Sequence, residues 1–251
     1  MDKIPVVYSK DFLTDYPTVD CECPDRIDKI YSHIRDIVDF TEPDPCDASD
    51  LALCHSERLI RSVQRDPITY SVACRSAGGA IKAAELALQG PSFALIRPPG
   101  HHAGQDFNGG FCFFNNMAIA TKRLISEGRI GNALIVDIDL HYGNGTYDIV
   151  QEDSRISFVN IDAASREDFF NDLEAALKNA SSYDLLCCSA GFDTYINDWG
   201  SLLLTEDYRR AAYMLASSNP RFFTILEGGY YIPDLGINVR AYLKGLLEAC
   251  S

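Results

Sequence analysis

Short apolar runs alternate with longer amphipathic stretches along most of the chain. That alternation predicts an α/β protein with a mainly parallel sheet. Val6-Val7-Tyr8 reads as a first short strand. Over 24–40, Ile27, Ile30, Tyr31, Ile34, Ile37 and Val38 recur at helical spacing, and Pro24 suits a first turn, so one helix is expected there. A Pro/Asp-rich loop follows over 41–47, then one or two short helices over 48–64. Residues 71–89 are Ala-rich and helical, with Gly90-Pro91 as the stop. Further helix-like stretches lie near 115–127, 166–179 and 205–217, and 157–162 reads as a strand.

Four later runs share one design, an apolar segment that ends in glycine and polar groups. Phe93-Ala94-Leu95-Ile96 leads into Arg97-Pro98-Pro99-Gly100-His101-His102, and Ala133-Leu134-Ile135-Val136 into Asp137-Ile138-Asp139-Leu140-His141. Leu185-Leu186-Cys187-Cys188 leads into Ser189-Ala190-Gly191-Phe192-Asp193, and Phe222-Phe223-Thr224-Ile225-Leu226 into Glu227-Gly228-Gly229-Tyr230. Buried parallel strands read as continuous apolar runs, and ligands in such sheets bind beyond the carboxyl ends of the strands. The polar ends of the four runs are therefore expected to converge on one site.

Asp137-Ile138-Asp139-Leu140-His141 is the sharpest feature. Strand alternation would set Asp137, Asp139 and His141 on one side. Two carboxylates beside each other in an apolar strand are costly unless a cation compensates them. A divalent metal does so, and carboxylate and imidazole are suitable zinc ligands. The competing reading is a strand end that emerges into solvent at Gly143-Asn144-Gly145. His101-His102 could supply acid–base groups, because imidazole titrates near neutrality. Three of the five histidines fall in these two segments. Taken singly, Asp193 is a helix cap or turn residue and Tyr230 a packed aromatic; only the conjunction points to a site.

Composition narrows the field. The 251 residues fit a single domain, 1–251, with 47% hydrophobic and 23% charged residues. A formal net charge of −14 argues against nucleic acid as a partner and favours cationic ones. No apolar run approaches a membrane span, and the opening residues do not read as a signal peptide, so a cytoplasmic protein is expected. Of nine cysteines, Cys187 and Cys188 read as buried thiols. Cys21-Glu22-Cys23 could be half of a zinc site or a disulfide, but no second close pair accompanies it.

Five segments together carry a family resemblance. They are Arg97-Pro98-Pro99-Gly100-His101-His102-Ala103, Gly110-Phe111-Cys112-Phe113-Phe114-Asn115-Asn116, Asp137-x-Asp139-x-His141-x-Gly143-Asn144-Gly145-Thr146, Ser189-Ala190-Gly191-Phe192-Asp193 and Leu226-Glu227-Gly228-Gly229-Tyr230. In that order the chain resembles the zinc-dependent histone deacetylases and the acetylpolyamine amidohydrolases, over about 8–230, with weaker echoes at Cys54-His55-Ser56 and Asp66. The resemblance implies the arginase/deacetylase fold, a three-layer α/β/α sandwich. It implies zinc (Zn2+) on Asp139, His141 and Asp193, with iron(II) (Fe2+) also suited to that set. It places the tandem histidines on His101 and His102, their partners on Asp137 and Asn144, and the acyl-polarising hydroxyl on Tyr230. Asn rather than Asp at 144 looks like the class II type. Phe111 would wall the acyl-lysine channel and the Gly110 carbonyl would hold the substrate amide. Potassium (K+) would lie near Asp137, the backbones of Asp139 and His141, and Asp162. Acylated lysine peptides or acetylated polyamines are the implied substrates, and the oligomeric state is left open.

Two departures stand out. Few residues separate 157–162 from Ser189, so the aromatic that usually faces Phe111 across the channel is missing from that segment. Tyr231 stands where relatives often carry Asn. Two other readings remain at this stage: a two-metal arginase-like ureohydrolase, and a module that binds acylated amines without turnover.

Overall fold

In the computed structural model, which describes residues 3–250, seven strands form one sheet. Met1, Asp2 and Ser251, the outermost residues of the expected 1–251 domain, lie outside the described residues. The strands are β1 (Ile4–Val7), β2 (Val38–Thr41), β3 (Ser92–Ala94), β4 (Ala133–Asp137), β5 (Ile156–Asn160), β6 (Leu185–Ala190) and β7 (Phe222–Leu226). Their order is β2-β1-β3-β7-β6-β4-β5, and every pairing in it is parallel. All residues of β3, β4, β6 and β7 are buried. Covered on both faces, these strands need apolar side chains at every position rather than at alternate ones, which is why they read as unbroken apolar runs.

The helices are α1 (Pro24–Ile34), α2 (Ala48–Leu51), α3 (Glu57–Val63), α4 (Pro67–Ala87), α5 (Asn116–Ser126), α6 (Asn144–Val150), α7 (Arg166–Leu177), α8 (Thr205–Ser218) and α9 (Ile232–Ala249). One group joins α1, α7, α8 and α9; another joins α4, α5 and α6. With the sheet between them they form the expected three-layer α/β/α sandwich.

The helix expected over 24–40 is corrected. It stops at Ile34, and Val38 opens β2, in register with Ile4 of β1. Ile37 and Val38 fit helical spacing, but a run of Val, Phe and Thr beside an open sheet edge gains more from pairing. The helix expected from Ser71 starts at Pro67, because the Asp66 side chain accepts the Thr69 N–H at 2.7 Å and caps it. The echo at Asp66 is thus a helix cap. Helices α6 and α9 were not expected. In α9, Leu235, Val239, Tyr242, Leu243 and Leu246 are buried at helical spacing.

Candidate active site

Four neighbouring strands, β3, β7, β6 and β4, deliver the polar groups from their carboxyl ends. The strand alternation expected to carry Asp137, Asp139 and His141 ends at Asp137. Beyond it the chain turns, with Asp137 Oδ1 accepting the Asp139 N–H at 3.0 Å and Asp139 Oδ1 accepting the His141 N–H at 2.9 Å. The three residues are brought together by this turn rather than by a shared strand face.

Asp139, His141 and Asp193 offer ligand atoms that all lie within 4.8 Å of one another. His141 Nδ1 is 3.2 Å from Asp139 Oδ1 and 3.0 Å from Asp193 Oδ2. The second oxygens are held by the backbone: Gly228 N–H donates to Asp139 Oδ2 at 2.9 Å, and Leu140 N–H to Asp193 Oδ1 at 3.1 Å. Asp193 Oδ2 is buried and, among the described residues, has no regular hydrogen-bond partner, with His141 Nδ1 at 3.0 Å as its nearest charged neighbour. A Cβ on Gly228 would sit 2.7 Å from Asp139 Oδ2 and 2.8 Å from Asp193 Oδ2, so only glycine leaves the carboxylates this space.

Electrostatics show what the trio lacks. Burial pushes the Asp193 carboxyl up to about 6, and Asp139 beside it adds to the rise. Contacts with Asp139 and Asp193 hold His141 up at about 10. A proton on His141 therefore occupies the place of a positive charge between two carboxylates. Two carboxylates and an imidazole converging with one buried oxygen unpartnered fit a divalent cation, which would displace that proton.

The tandem histidines have different partners. His101 Nδ1 lies 3.1 Å from Asp137 Oδ2, and His102 Nδ1 lies 2.6 Å from Asn144 Oδ1. The rings are 4.0 Å apart, centroid to centroid. Burial alone would lower His101, but Asp139 and Asp137 outweigh it and hold the group well above its ordinary value. Burial lowers His102 to about 4, and the charge on His101 adds to this. One imidazole is kept charged and its neighbour neutral. Glu227 supports the loop that carries them, its Oε2 accepting Gly100 N–H at 2.7 Å and His101 N–H at 3.2 Å. Among the described residues Glu227 Oε1 has no hydrogen-bond partner, and Glu227, His101 and Cys112 form a second convergent group.

A cavity of about 100 Å³ opens onto these groups, lined among others by His101, His102, Gly110, Phe111, His141 and Tyr230. Gly110 and Phe111 both adopt left-handed backbone, with φ of 53° and 68°, which turns this loop into the mouth. A larger cavity of about 310 Å³ lies elsewhere, lined by Glu42, Asp44, Asp47, Asp50 and Glu85 against Lys82 and Arg123. It contains none of the converging groups.

All ten residues expected at the site are placed around this one point. Asp162 is not drawn in with them; it is exposed. Cys21 and Cys23 are free, half-buried thiols. His55 of the Cys54-His55-Ser56 echo pins Gly104 O and Asn115 N behind the site, at 2.8 and 2.9 Å.

Two features escaped the sequence. Trp199 supplies the second aromatic side of the cavity, from the loop after Asp193 rather than the segment before Ser189. Its being the only tryptophan was the one available signal. Arg26 reads as a surface residue of α1 but is wholly buried. It donates to Gly229 O at 2.7 Å, to Glu227 O at 2.5 Å and to Glu22 Oε1 at 3.1 Å.

Comparison with known proteins gives the same direction. Residues 20–172, more than half of the chain, match the family model described as the histone deacetylase domain. The chain is 33% identical over 219 residues to the acetylpolyamine amidohydrolase of Mycoplana ramosa, an alignment covering 72% of this chain and 64% of that one. Acetylpolyamine amidohydrolase 1 of Pseudomonas aeruginosa is 34% identical over 216 residues, 70% of this chain and 62% of its own. The chain thus spans less than two thirds of the length of these curated relatives. The crystal structure of an acetylpolyamine aminohydrolase from Burkholderia pseudomallei superposes with a TM-score of 0.84 at 21% identity, covering 97% of this chain and 98% of that one, a likeness of fold. By the extent of the domain match, carried by a chain of the same fold, this protein belongs to the histone deacetylase family.

Proposed function

We propose that the chain is a zinc-dependent amidohydrolase that removes acyl groups from amines, with Asp139, His141 and Asp193 holding one metal ion. The observation that carries this reading is the convergence of that trio with a charged His101, a neutral His102 and Tyr230 on one cavity. When bound there, zinc supplies polarisation of an acyl carbonyl and acidifies a water so that it attacks near neutral pH; iron(II) would serve similarly.

The remaining chemistry belongs to the chain. With Nδ1–H donating to Asn144 Oδ1, His102 keeps a free lone pair on Nε2. It takes the proton of the attacking water and returns one to the leaving amine. His101, oriented by Asp137, stays charged and stabilises the negative charge that develops beside it. Tyr230 O–H donates to the acyl oxygen. The Gly110 carbonyl accepts the substrate amide N–H, and Phe111 lies along the alkyl chain. Potassium would be held near the Asp137 side chain and the carbonyls of Asp139 and His141, as the family resemblance implies. Ser189, paired in register with Asp137, has a buried Oγ with no hydrogen-bond partner among the described residues, and that oxygen would suit the ion as well.

Acetylated polyamines and acetyl-lysine peptides are the substrates this reading favours. The relatives' names and a net charge of −14 support cationic amines. No helix among the described residues is long and apolar enough to cross a membrane, and all nine cysteines are free, as a reducing cytosol would keep them. One core runs from Ile4 to Leu246, which supports a single catalytic domain over 1–251. A two-metal centre would need a second carboxylate soon after Asp193. Thr194 and Tyr195 stand there, bonded to Tyr208 and Asp234.

Turnover of acetyl-lysine peptides, longer acyl-lysines and acetylpolyamines by the zinc-loaded protein tests the reading. Hydrolysis of at least one class, with one metal ion per chain, is expected. Two tightly bound ions would favour a ureohydrolase, and binding without turnover a recognition module.

A further inference from the structure

Residues 227–231 join β7 to α9 and belong to neither. Their backbone groups must therefore find partners outside the regular elements. Arg26 takes the carbonyls of Glu227 and Gly229, at 2.5 and 2.7 Å. The N–H groups that follow go to one carboxylate. Asp198 Oδ2 accepts the N–H of Tyr230 and that of Tyr231, each at 2.7 Å, and Asp198 Oδ1 accepts the Trp199 N–H at 2.8 Å. Asp198 is itself buried, and its own N–H donates to Tyr195 O at 2.9 Å.

This carboxylate stands at the start of α9, where N–H groups lack helical partners and the helix dipole favours a negative charge. Hydrogen bonds to a charged acceptor are roughly twice as strong as neutral ones. The loop that carries Asp198 follows the candidate ligand Asp193, and its Gly200 N–H donates to Asp193 O at 2.8 Å. One side chain therefore fixes the main chain at 230–231 relative to the loop of a metal ligand. Among the described residues no hydrogen bond holds the Tyr230 hydroxyl itself. Its place over the metal trio is set by ring contacts and by the backbone that Asp198 grips.

We propose that Asp198 is a positioning residue that holds the Tyr230 hydroxyl in line with the metal trio by clamping the 230–231 backbone. It does not line the cavity, and it acts through Tyr230. The inference rests on the amidohydrolase reading above and adds a residue to its machinery. A carboxylate that only stapled the fold would matter equally whether or not Tyr230 carried its hydroxyl.

Two measurements separate these roles. In the metal-free chain, backbone hydrogen exchange should quicken at Tyr230 and Tyr231 in Asp198→Ala, while the amides of β6 and β7 stay protected. In the zinc-loaded chain, kcat and KM are measured with N-acetylputrescine and with an acetyl-lysine peptide. Asp198→Ala should lower kcat ~10²-fold, the scale of a ~1 Å misplacement, with KM near that of wild type. In the Tyr230→Phe background the same substitution should cost less than ~3-fold, because the two residues act as a unit. Asp198→Asn keeps a neutral oxygen for the two N–H groups. It should fold, lie between wild type and Asp198→Ala in kcat, and show the same dependence on the Tyr230 hydroxyl; it decides the matter if Asp198→Ala does not fold. Unchanged exchange at 230–231, or an equal fall of kcat with and without the Tyr230 hydroxyl, would overturn the proposal. If the wild type hydrolyses no amide at all, the amidohydrolase reading fails, and the exchange rates still decide whether Asp198 holds the 230–231 backbone.

Discussion

The guanidinium of Arg26 lies over the ring of Tyr230, its Cζ 4.8 Å from the ring centroid. Trp199 also covers a face of that ring, and two groups at such distances cannot share one face, so Tyr230 is held between them. Arg26 is wholly buried and also satisfies Glu227 O, Gly229 O and Glu22 Oε1. Arg26→Met keeps an unbranched stem and removes every donor. Breaking a buried ion pair from one side costs about 3–5 kcal/mol. Urea unfolding should show a loss near the lower figure, because Glu22 keeps Arg97 Nε at 2.9 Å and Tyr16 O–H at 2.7 Å. Turnover should fall as well. A variant as stable and active as wild type would show that the buried guanidinium holds nothing in place.

Tyr230 and His102 separate chemistry from folding. Among the described residues no hydrogen bond holds the Tyr230 hydroxyl, so Tyr230→Phe should unfold within about 0.5 kcal/mol of wild type. Its kcat should drop ~10²–10³-fold, as when one oxyanion donor is lost. His102→Ala should likewise lose most activity and remain folded. Both variants turning over amides at wild-type rate would sink the proposed mechanism.

These residues were legible because the fold puts them at the ends of apolar runs, where polar groups have no packing reason to be. The neighbours that support them were not. Arg26 and Glu22 are charged positions on and beside an amphipathic helix, and charge there ordinarily means solvent. The 227–229 backbone returns onto α1 to take up Arg26, while Arg97 and Tyr16 close on Glu22, and nothing local to either segment announces it. Trp199 gave no periodic signal, since its loop is fixed by single hydrogen bonds to Asp198 and Asp193. Strand β2 was hidden for the opposite reason: Ile37 and Val38 continued a helical spacing that sheet pairing overrode.

Removing metal should uncover the repulsion between Asp139 and Asp193. Zinc at about 100 times its dissociation constant should stabilise the folded chain by ~2.7 kcal/mol, read as a rise in melting temperature over the chelated protein. Asp193→Asn should lose that rise. Its metal-free form should be no less stable than the metal-free wild type, because one of two buried like charges is gone. A full zinc response in Asp193→Asn would remove Asp193 from the proposed ligands.

His55 should make stability depend on pH in a direction set by its partners. Its Nδ1–H donates to Gly104 O at 2.8 Å, and its Nε2 accepts the Asn115 N–H at 2.9 Å. A second ring proton would face that donor, and burial lowers the folded-state value from 6.5 to about 4. Between those two values the unfolded chain binds more protons than the folded one, so the contribution of His55 falls as pH drops from 6.5 to 4. At ~1.4 kcal/mol for each pH unit, the whole loss is about 3 kcal/mol. His101 and His141 shift the other way and lose their contribution as pH rises, so the wild-type curve alone mixes the signs. The difference from His55→Gln isolates the term. That variant should be less stable at pH 7, and the gap should narrow by about 3 kcal/mol by pH 4 in urea titrations. A gap that stays constant across this range would mean that His55 is not the neutral, doubly bonded imidazole it is read to be.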